Sequence, residues 1–253
     1  MDSHALLRAA ALPGRAARNP RWQPGLPLPS HSELFTPAGE ASGAGMALAF
    51  VRDALEQASA QAGAVAEQRE VLWVQDRQAI HLSGSPCRAG LPLALRHRLI
   101  HVAAPRPEDA LFAMEEGLRC RDLAAVVGEL AGNPRALDFT ASRRLTLTAE
   151  KHGVPLLLVR LDAVADLSSA RARWRLASLP SAPPRWNPDA PGRAAWHAEL
   201  FRARFHQPGE WILRDEPDRL TAQRVQHAAQ NAISAPDHGD LLQRTGAGPL
   251  AGL

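Results

Sequence analysis

The clearest pattern in the sequence lies between Pro107 and Leu130, where an amphipathic stretch runs directly into an apolar one. Leu111, Met114 and Leu118 recur at intervals of three and four, so this stretch predicts a helix with one apolar side. The following run, LAAVV at Leu123–Val127, has no polar alternation, which is typical of a strand covered on both faces of a parallel sheet. The pair indicates a helix that packs on a buried sheet.

Similar patterns continue on both sides of this pair. Further apolar runs predict strands at Glu33–Thr36, Val71–Gln75, Leu99–Ala103 and Val154–Leu161, a helix over about 46–61 and a short one near 92–97. Asp138 suits the N-cap of another helix, which we expect to end at Gly153. After Asp162, apolar and polar residues alternate, which favours antiparallel strands.

The alternation of strands and helices predicts an α/β fold with a mainly parallel sheet and antiparallel C-terminal strands. We expect a basic, proline-rich and flexible leader over 1–30, a core domain over 31–215 and a mostly disordered tail over 216–253. The sequence has no apolar run of membrane-spanning length, so we expect no membrane association and a cytoplasmic protein.

The glycine-rich turn after the first strand lies where parallel α/β proteins bind nucleotide phosphates. When the phosphate-loop pattern is aligned from Gly39, Gly45 replaces its lysine and Met46 its magnesium-binding hydroxyl. Lys151, the only lysine, ends a later helix. We therefore predict a vestigial phosphate loop that binds no cofactor and supports no ATP hydrolysis. The loop is formed by Gly39, Ser42, Gly43, Gly45 and Met46.

The sequence also lacks other catalytic signatures. Gly128 occupies the position where a strand should end in a magnesium-binding acid, and Glu129 follows one residue later. Histidines and cysteines show no metal-ligand spacing, so we expect no metal site. These absences favour a non-catalytic protein.

Five segments follow one another with a characteristic order and spacing: PEDALFAMEEGLRC, LAAVVGEL, LDFTASRRLTLTAEKHGVPLLLVR, ARWRLASLPS and WHAELFRARFHQPGEWILRD. Together they resemble the ImuA family of RecA-like accessory proteins of bacterial SOS mutagenesis. The resemblance covers about residues 22–215.

The resemblance implies a RecA-like, P-loop-type three-layer fold whose nucleotide site is generally degenerate. It also implies a role in error-prone translesion synthesis, with an ImuB-like Y-family protein and a DnaE-type error-prone polymerase as partners. RecA and single-stranded DNA are further candidate partners. The alternatives are a cell-division inhibitor related to SulA and a weakly active recombinase-like protein that binds ATP and DNA.

Arginines concentrate between positions 171 and 204, where seven arginines accompany two acids. By strand alternation, Arg171, Arg173 and Arg175 should share one face, and Arg202 and Arg204 should share another. We expect these residues to bind DNA or a protein partner. The alternative is a solvated arginine face in a protein that uses almost no lysine.

Overall fold

Strands and helices alternate along most of the chain in the computed structural model, which describes residues 19–61, 63, 68–217 and 219–225. The strands are β1 (His31–Thr36), β2 (Glu70–Asp76), β3 (Leu99–Ala104), β4 (Leu123–Ala131), β5 (Leu156–Leu161), β6 (Ala172–Leu179), β7 (Ala195–Ala203), β8 (Gly209–Asp215) and β9 (Leu220–Arg224). The helices are α1 (Ser42–Gln61), α2 (Arg77–Ser83), α3 (Pro107–Arg119) and α4 (Phe139–His152), with a 3₁₀ turn at Arg88–Gly90.

All nine strands form one sheet, in the order β3-β2-β4-β5-β1-β6-β7-β8-β9. The strands from β3 to β6 are parallel, and β7, β8 and β9 extend the sheet in antiparallel fashion. Helices cover both faces of the parallel part, with α1 and α2 on one side and α3 and α4 on the other. This three-layer α/β architecture is consistent with the predicted RecA-like fold.

The two faces of the sheet bury different side chains because strand residues alternate between them. In β2, Val71 and Trp73 pack with α1, whereas Leu72 and Val74 pack with α3. The antiparallel strands bury apolar side chains mainly on the α1 side, where Trp174 and Trp211 form an aromatic cluster with Phe50.

Helix α3 lies on the sheet as its apolar spacing predicts. Leu111, Met114 and Leu118 are all buried, and Gly117 lets the helix approach Leu72 so closely that a Cβ there would collide. Helix α4 also follows its sequence signals: the Asp138 carboxylate accepts a hydrogen bond from the Ala141 amide at 2.7 Å, and Gly153 ends the helix in the left-handed conformation.

Several predicted elements need correction. Helix α1 begins at Ser42, four residues before the predicted start, and α2 was not predicted. Residues 92–97 form turns instead of a short helix. The third strand is not buried as predicted: β3 is an edge strand, and Ile100 is 47% exposed.

The ends of the core also differ from the predicted boundaries. Trp22, which was assigned to the leader, is buried against Trp174 and Trp211, with ring centroids 4.9 and 5.5 Å apart. Beyond position 215, β9 completes the sheet within the predicted tail. Residues 1–18 and 226–253, which hold most of the predicted leader and tail, lie outside the described residues.

The packing of α3 generates a stability prediction. Leu118→Ala should lower the free energy of unfolding by about 2–5 kcal/mol, because it removes buried apolar surface and leaves a cavity. Phe112→Ala, on the same helix but at a side chain 65% exposed, is the matched control and should change stability by less than about 1 kcal/mol. Urea unfolding measures both, and equal losses would contradict the assigned orientation of α3.

Candidate functional site

The turn between β1 and α1 is held by contacts that restrict what it can bind. The Ala38 amide donates a hydrogen bond to Asp162 Oδ1 at 2.8 Å, so this N–H group already has a carboxylate as its acceptor. Gly43 packs so closely on β1 and β5 that a Cβ would lie 2.6 Å from Val159. Beside it, the Ser42 and Thr36 hydroxyls form a short hydrogen bond.

The packing also shows how the phosphate-loop pattern fits the turn. Gly43 makes the close approach expected of a glycine at the start of a packed helix, so it suits the last glycine of the pattern better than Ala44 does. In that register Ala44 and Gly45 replace the lysine and the hydroxyl. Met46 is fully buried in the core, and Gly45 lies against the Trp196 ring. Neither register supplies a cation or a magnesium-binding hydroxyl.

A cleft of about 260 Å³ opens beside this turn, at the carboxyl ends of the parallel strands. Glu129, from β4, accepts hydrogen bonds from Gln75 Nε2 at 2.8 Å, Ser83 Oγ at 2.7 Å and Trp73 Nε1 at 3.3 Å. Glu40 also lines the cleft, and among the described residues no arginine or lysine does. Two carboxylates without a lining cation disfavour a polyphosphate.

Glu129 was noted in the sequence but not predicted as a site residue. Strand alternation turns it into the cleft, whereas Gly128 faces α3, where a Cβ would collide with Met114. An aspartate at 128 therefore could not fit without repacking. Burial raises the pKa of the Glu129 carboxyl, although its three hydrogen-bond donors oppose this effect and the Asp76 charge adds to it.

A buried charge cluster joins the strands on either side of β1. Glu33 is 1% exposed, and its Oε2 accepts from Arg173 Nε at 2.6 Å, while Arg160 Nη1 lies 3.6 Å from Oε1. Both guanidinium groups also lie over the Phe35 ring, at 5.1 Å for Arg173 and 5.6 Å for Arg160. The cluster neutralises charges that would otherwise be unstable inside the protein.

His31 lies on the same face of β1, with Nδ1 2.8 Å from the Thr146 hydroxyl. Burial lowers the pKa of His31 from 6.5 to about 4. Its neutral form is therefore favoured on folding, so its contribution to stability is present above pH 6.5 and is lost as the pH falls towards 4. His31 thus belongs to the buried structural cluster rather than to the cleft.

The three arginines that were predicted to share one face of β6 differ in burial and in their ion pairs. Arg173 is only 3% exposed and paired with Glu33, which corrects the expectation that it contacts a ligand. Arg175 is exposed but pairs with Glu199 at 2.9 Å and lies over Phe201 at 4.1 Å. Arg171 pairs with Glu150 at 2.6 Å at the edge of a different surface.

Arg202 and Arg204 line one groove, together with Arg171 and with Arg143 from α4. A bulge in the pairing of β6 with β7 leaves Phe201 without a partner and places Arg202 opposite Arg173. Strict alternation would have turned Arg202 to the α1 side. No sequence pattern indicated that Arg143 belongs to this groove, because it lies on a helix far along the chain from the arginine-rich strands.

Within the described ranges, no helix is long and apolar enough to cross a membrane, and no group of three or more histidines, cysteines or acids could hold a metal ion.

Fold and sequence comparison together place the protein in a class and a family. The architecture defines the class as a RecA-like three-layer α/β protein. No family model matches the sequence. Proteins named "Protein ImuA" from two strains of Caulobacter vibrioides are each 33% identical over 223 residues, which cover 80% of this chain and 84% of the relative. The chain therefore belongs to the ImuA family.

The buried charge cluster generates a second stability prediction. Arg173→Ala should lower the free energy of unfolding by about 3–5 kcal/mol, because it leaves the Glu33 carboxylate buried with only the more distant Arg160. Arg175→Ala, two residues along the same strand, removes an exposed ion pair and should cost at most about 1 kcal/mol. Denaturant unfolding of both variants tests the difference, and similar losses would argue against the buried pairing.

Proposed function

We propose that this protein is a non-catalytic accessory factor in SOS-induced, error-prone translesion DNA synthesis. The observation that carries the proposal is the match to the Caulobacter ImuA proteins along 80% of the chain. An ImuB-like Y-family protein and a DnaE-type error-prone polymerase are the proposed partners, as the family resemblance implies. The proposed location is the cytoplasm, where the replicated DNA lies.

The contacts around the first turn support a role without ATP hydrolysis. Phosphoryl transfer needs a cation on the β and γ phosphates and a group that holds magnesium. Ala44, Gly45 and Met46 provide neither, and Met46 is buried in the core. Glu40 and Glu129 give the adjacent cleft a charge of the same sign as the phosphates. We therefore propose that the RecA-like core acts as a scaffold for partner binding.

The proposal predicts the absence of ATP turnover. Purified protein, incubated with ATP and magnesium, should release phosphate at the background rate both with and without single-stranded DNA. Glu129→Gln and Gly39→Ala are the control variants, because Glu129 is the buried acid of the cleft and Gly39 has open space around it. Turnover in the wild type that either variant abolishes would show that the site is catalytic.

The partner assignment is tested by co-purification. The tagged full-length protein, isolated from cells after DNA damage, should retain an ImuB-like protein and a DnaE-type polymerase, identified by mass spectrometry. Cells that express the untagged protein provide the control for nonspecific capture. The alternative of a division inhibitor predicts filamentous cells on overexpression. Filamentation, with recovery of a tubulin-like protein instead of the polymerase partners, would overturn the proposal.

A further inference from the structure

We propose that the groove between α4, the start of β6 and the end of β7 binds single-stranded DNA. Arg143, Arg202 and Arg204 would contact the phosphates, and Phe139 would stack against a base. The inference rests on the proposed function, because translesion synthesis works on single-stranded template. It names the nucleic-acid class and the residues that would contact it.

The groove carries a strong excess of positive charge. Four guanidinium groups line it, from Arg143, Arg171, Arg202 and Arg204, and it encloses about 550 Å³. Within the described residues, the only acid that pairs with any of them is Glu150, which binds Arg171. The hydrogen bond from Arg171 lowers the pKa of the Glu150 carboxyl, and the charge of Arg204 adds to this effect.

Three of these guanidinium groups are available to a ligand. Arg143, Arg202 and Arg204 are exposed, and none of their side chains forms an ion pair or hydrogen bond with the part of the chain that the structure describes. Arg204 lies over the Phe205 ring at 5.4 Å. Unpaired arginines that converge on one groove are suited to a polyanion, since each can bind a phosphate without first breaking an ion pair with a protein carboxylate.

On the α4 side of the groove, apolar side chains lie in one row with an arginine. Phe139, Arg143 and Leu147 follow at intervals of four, so they form one row on the helix. Phe139 is 40% exposed and Leu147 50% exposed, although both are apolar. This combination of a basic track with an exposed aromatic ring is typical of sites that bind single strands by phosphate contact and base stacking.

The dimensions and the floor of the groove also fit a single strand. The row from Phe139 to Leu147 spans roughly 12 Å, so it can lie along a short stretch of a single strand. Hydroxyl groups form the floor and are held by one another: Thr146 Oγ1 lies 2.6 Å from Ser169 Oγ, and Ser142 Oγ lies 2.9 Å from Ser168 Oγ. The floor is therefore fixed before any ligand arrives.

Fluorescence anisotropy with a labelled 16-nucleotide polythymidine tests the inference on the full-length protein over a salt titration. Wild-type protein should bind, and the logarithm of its affinity should fall linearly with the logarithm of salt concentration. Arg143→Gln/Arg202→Gln/Arg204→Gln should reduce that slope by about 2, because each phosphate that is no longer neutralised lowers it by roughly 0.7. The matched control, Arg77→Gln/Arg121→Gln/Arg224→Gln, removes the same charge from exposed arginines outside the groove and should keep the slope within about 0.5 of wild type.

Phe139→Ala separates stacking from charge. It should lower the affinity roughly tenfold and leave the salt slope unchanged. Circular dichroism checks that all variants remain folded, and the single variant Arg143→Gln, at an exposed helix position, repeats the slope test if the triple variant is unfolded.

Three results would overturn the inference: no binding by the wild type at low salt, equal reductions of the slope in the two triple variants, or equal competition by an oligoglutamate of the same charge. The last would assign the groove to an acidic protein segment. If polythymidine binding fails while the polymerase partners still co-purify, only this inference is wrong. If binding holds while co-purification fails, the proposed function is wrong and the groove remains a DNA site.

Discussion

One buried carboxylate, Glu33, ties together the three strands in the middle of the sheet. It lies in β1 and is contacted by Arg160 from β5 and Arg173 from β6, the strands on either side. Glu33 and Arg173 are directly opposite in the β1–β6 pairing. A shift of one residue in this register would turn one of the two charges to the opposite, apolar face, so the ion pair favours the observed alignment of β1 with β6.

Packing supports the proposal that this RecA-like core acts as a scaffold and does not hydrolyse a nucleotide. At the end of β4, Gly128 faces Met114 without room for a side chain, and at the start of α1, Met46 fills the core. Both segments are thus used for hydrophobic contacts. The residues that do line the cleft include two acids, Glu40 and Glu129, whose carboxylates would repel a phosphate.

The arginines of the C-terminal half have three different environments, and their energetic roles follow from burial. Arg173 is buried and its charge must be compensated, whereas Arg175 forms an exposed pair that contributes little. Arg202 and Arg204 lie on a groove, and neither forms an ion pair with an acid in the described part of the chain. Residue type alone therefore says little about role, since the same guanidinium group is structural in one position and open to a ligand a few residues away.

Local patterns were enough to predict most of the fold from the sequence. Helix α3, the Asp138 cap and the Gly153 stop depend on residues within one or two turns of each other, so their signals are continuous in the chain. The order of strands and helices indicated the α/β class for the same reason. Helix α2 was missed because it is only seven residues long and has a single buried residue, too little for a periodic pattern.

The candidate site, by contrast, was decided by contacts between distant segments. The sequence alone determined that the turn after β1 has no lysine, and no hydroxyl at the magnesium position of the phosphate-loop pattern, because residue types are read directly from the sequence. Only the tertiary structure decided that Trp22 belongs to the core, that Arg173 is buried against a residue 140 positions away, and that Arg143 joins Arg202 and Arg204 in one groove. The β7 bulge breaks the period of two, and burial depends on which strands become neighbours, so neither could be read from the local pattern.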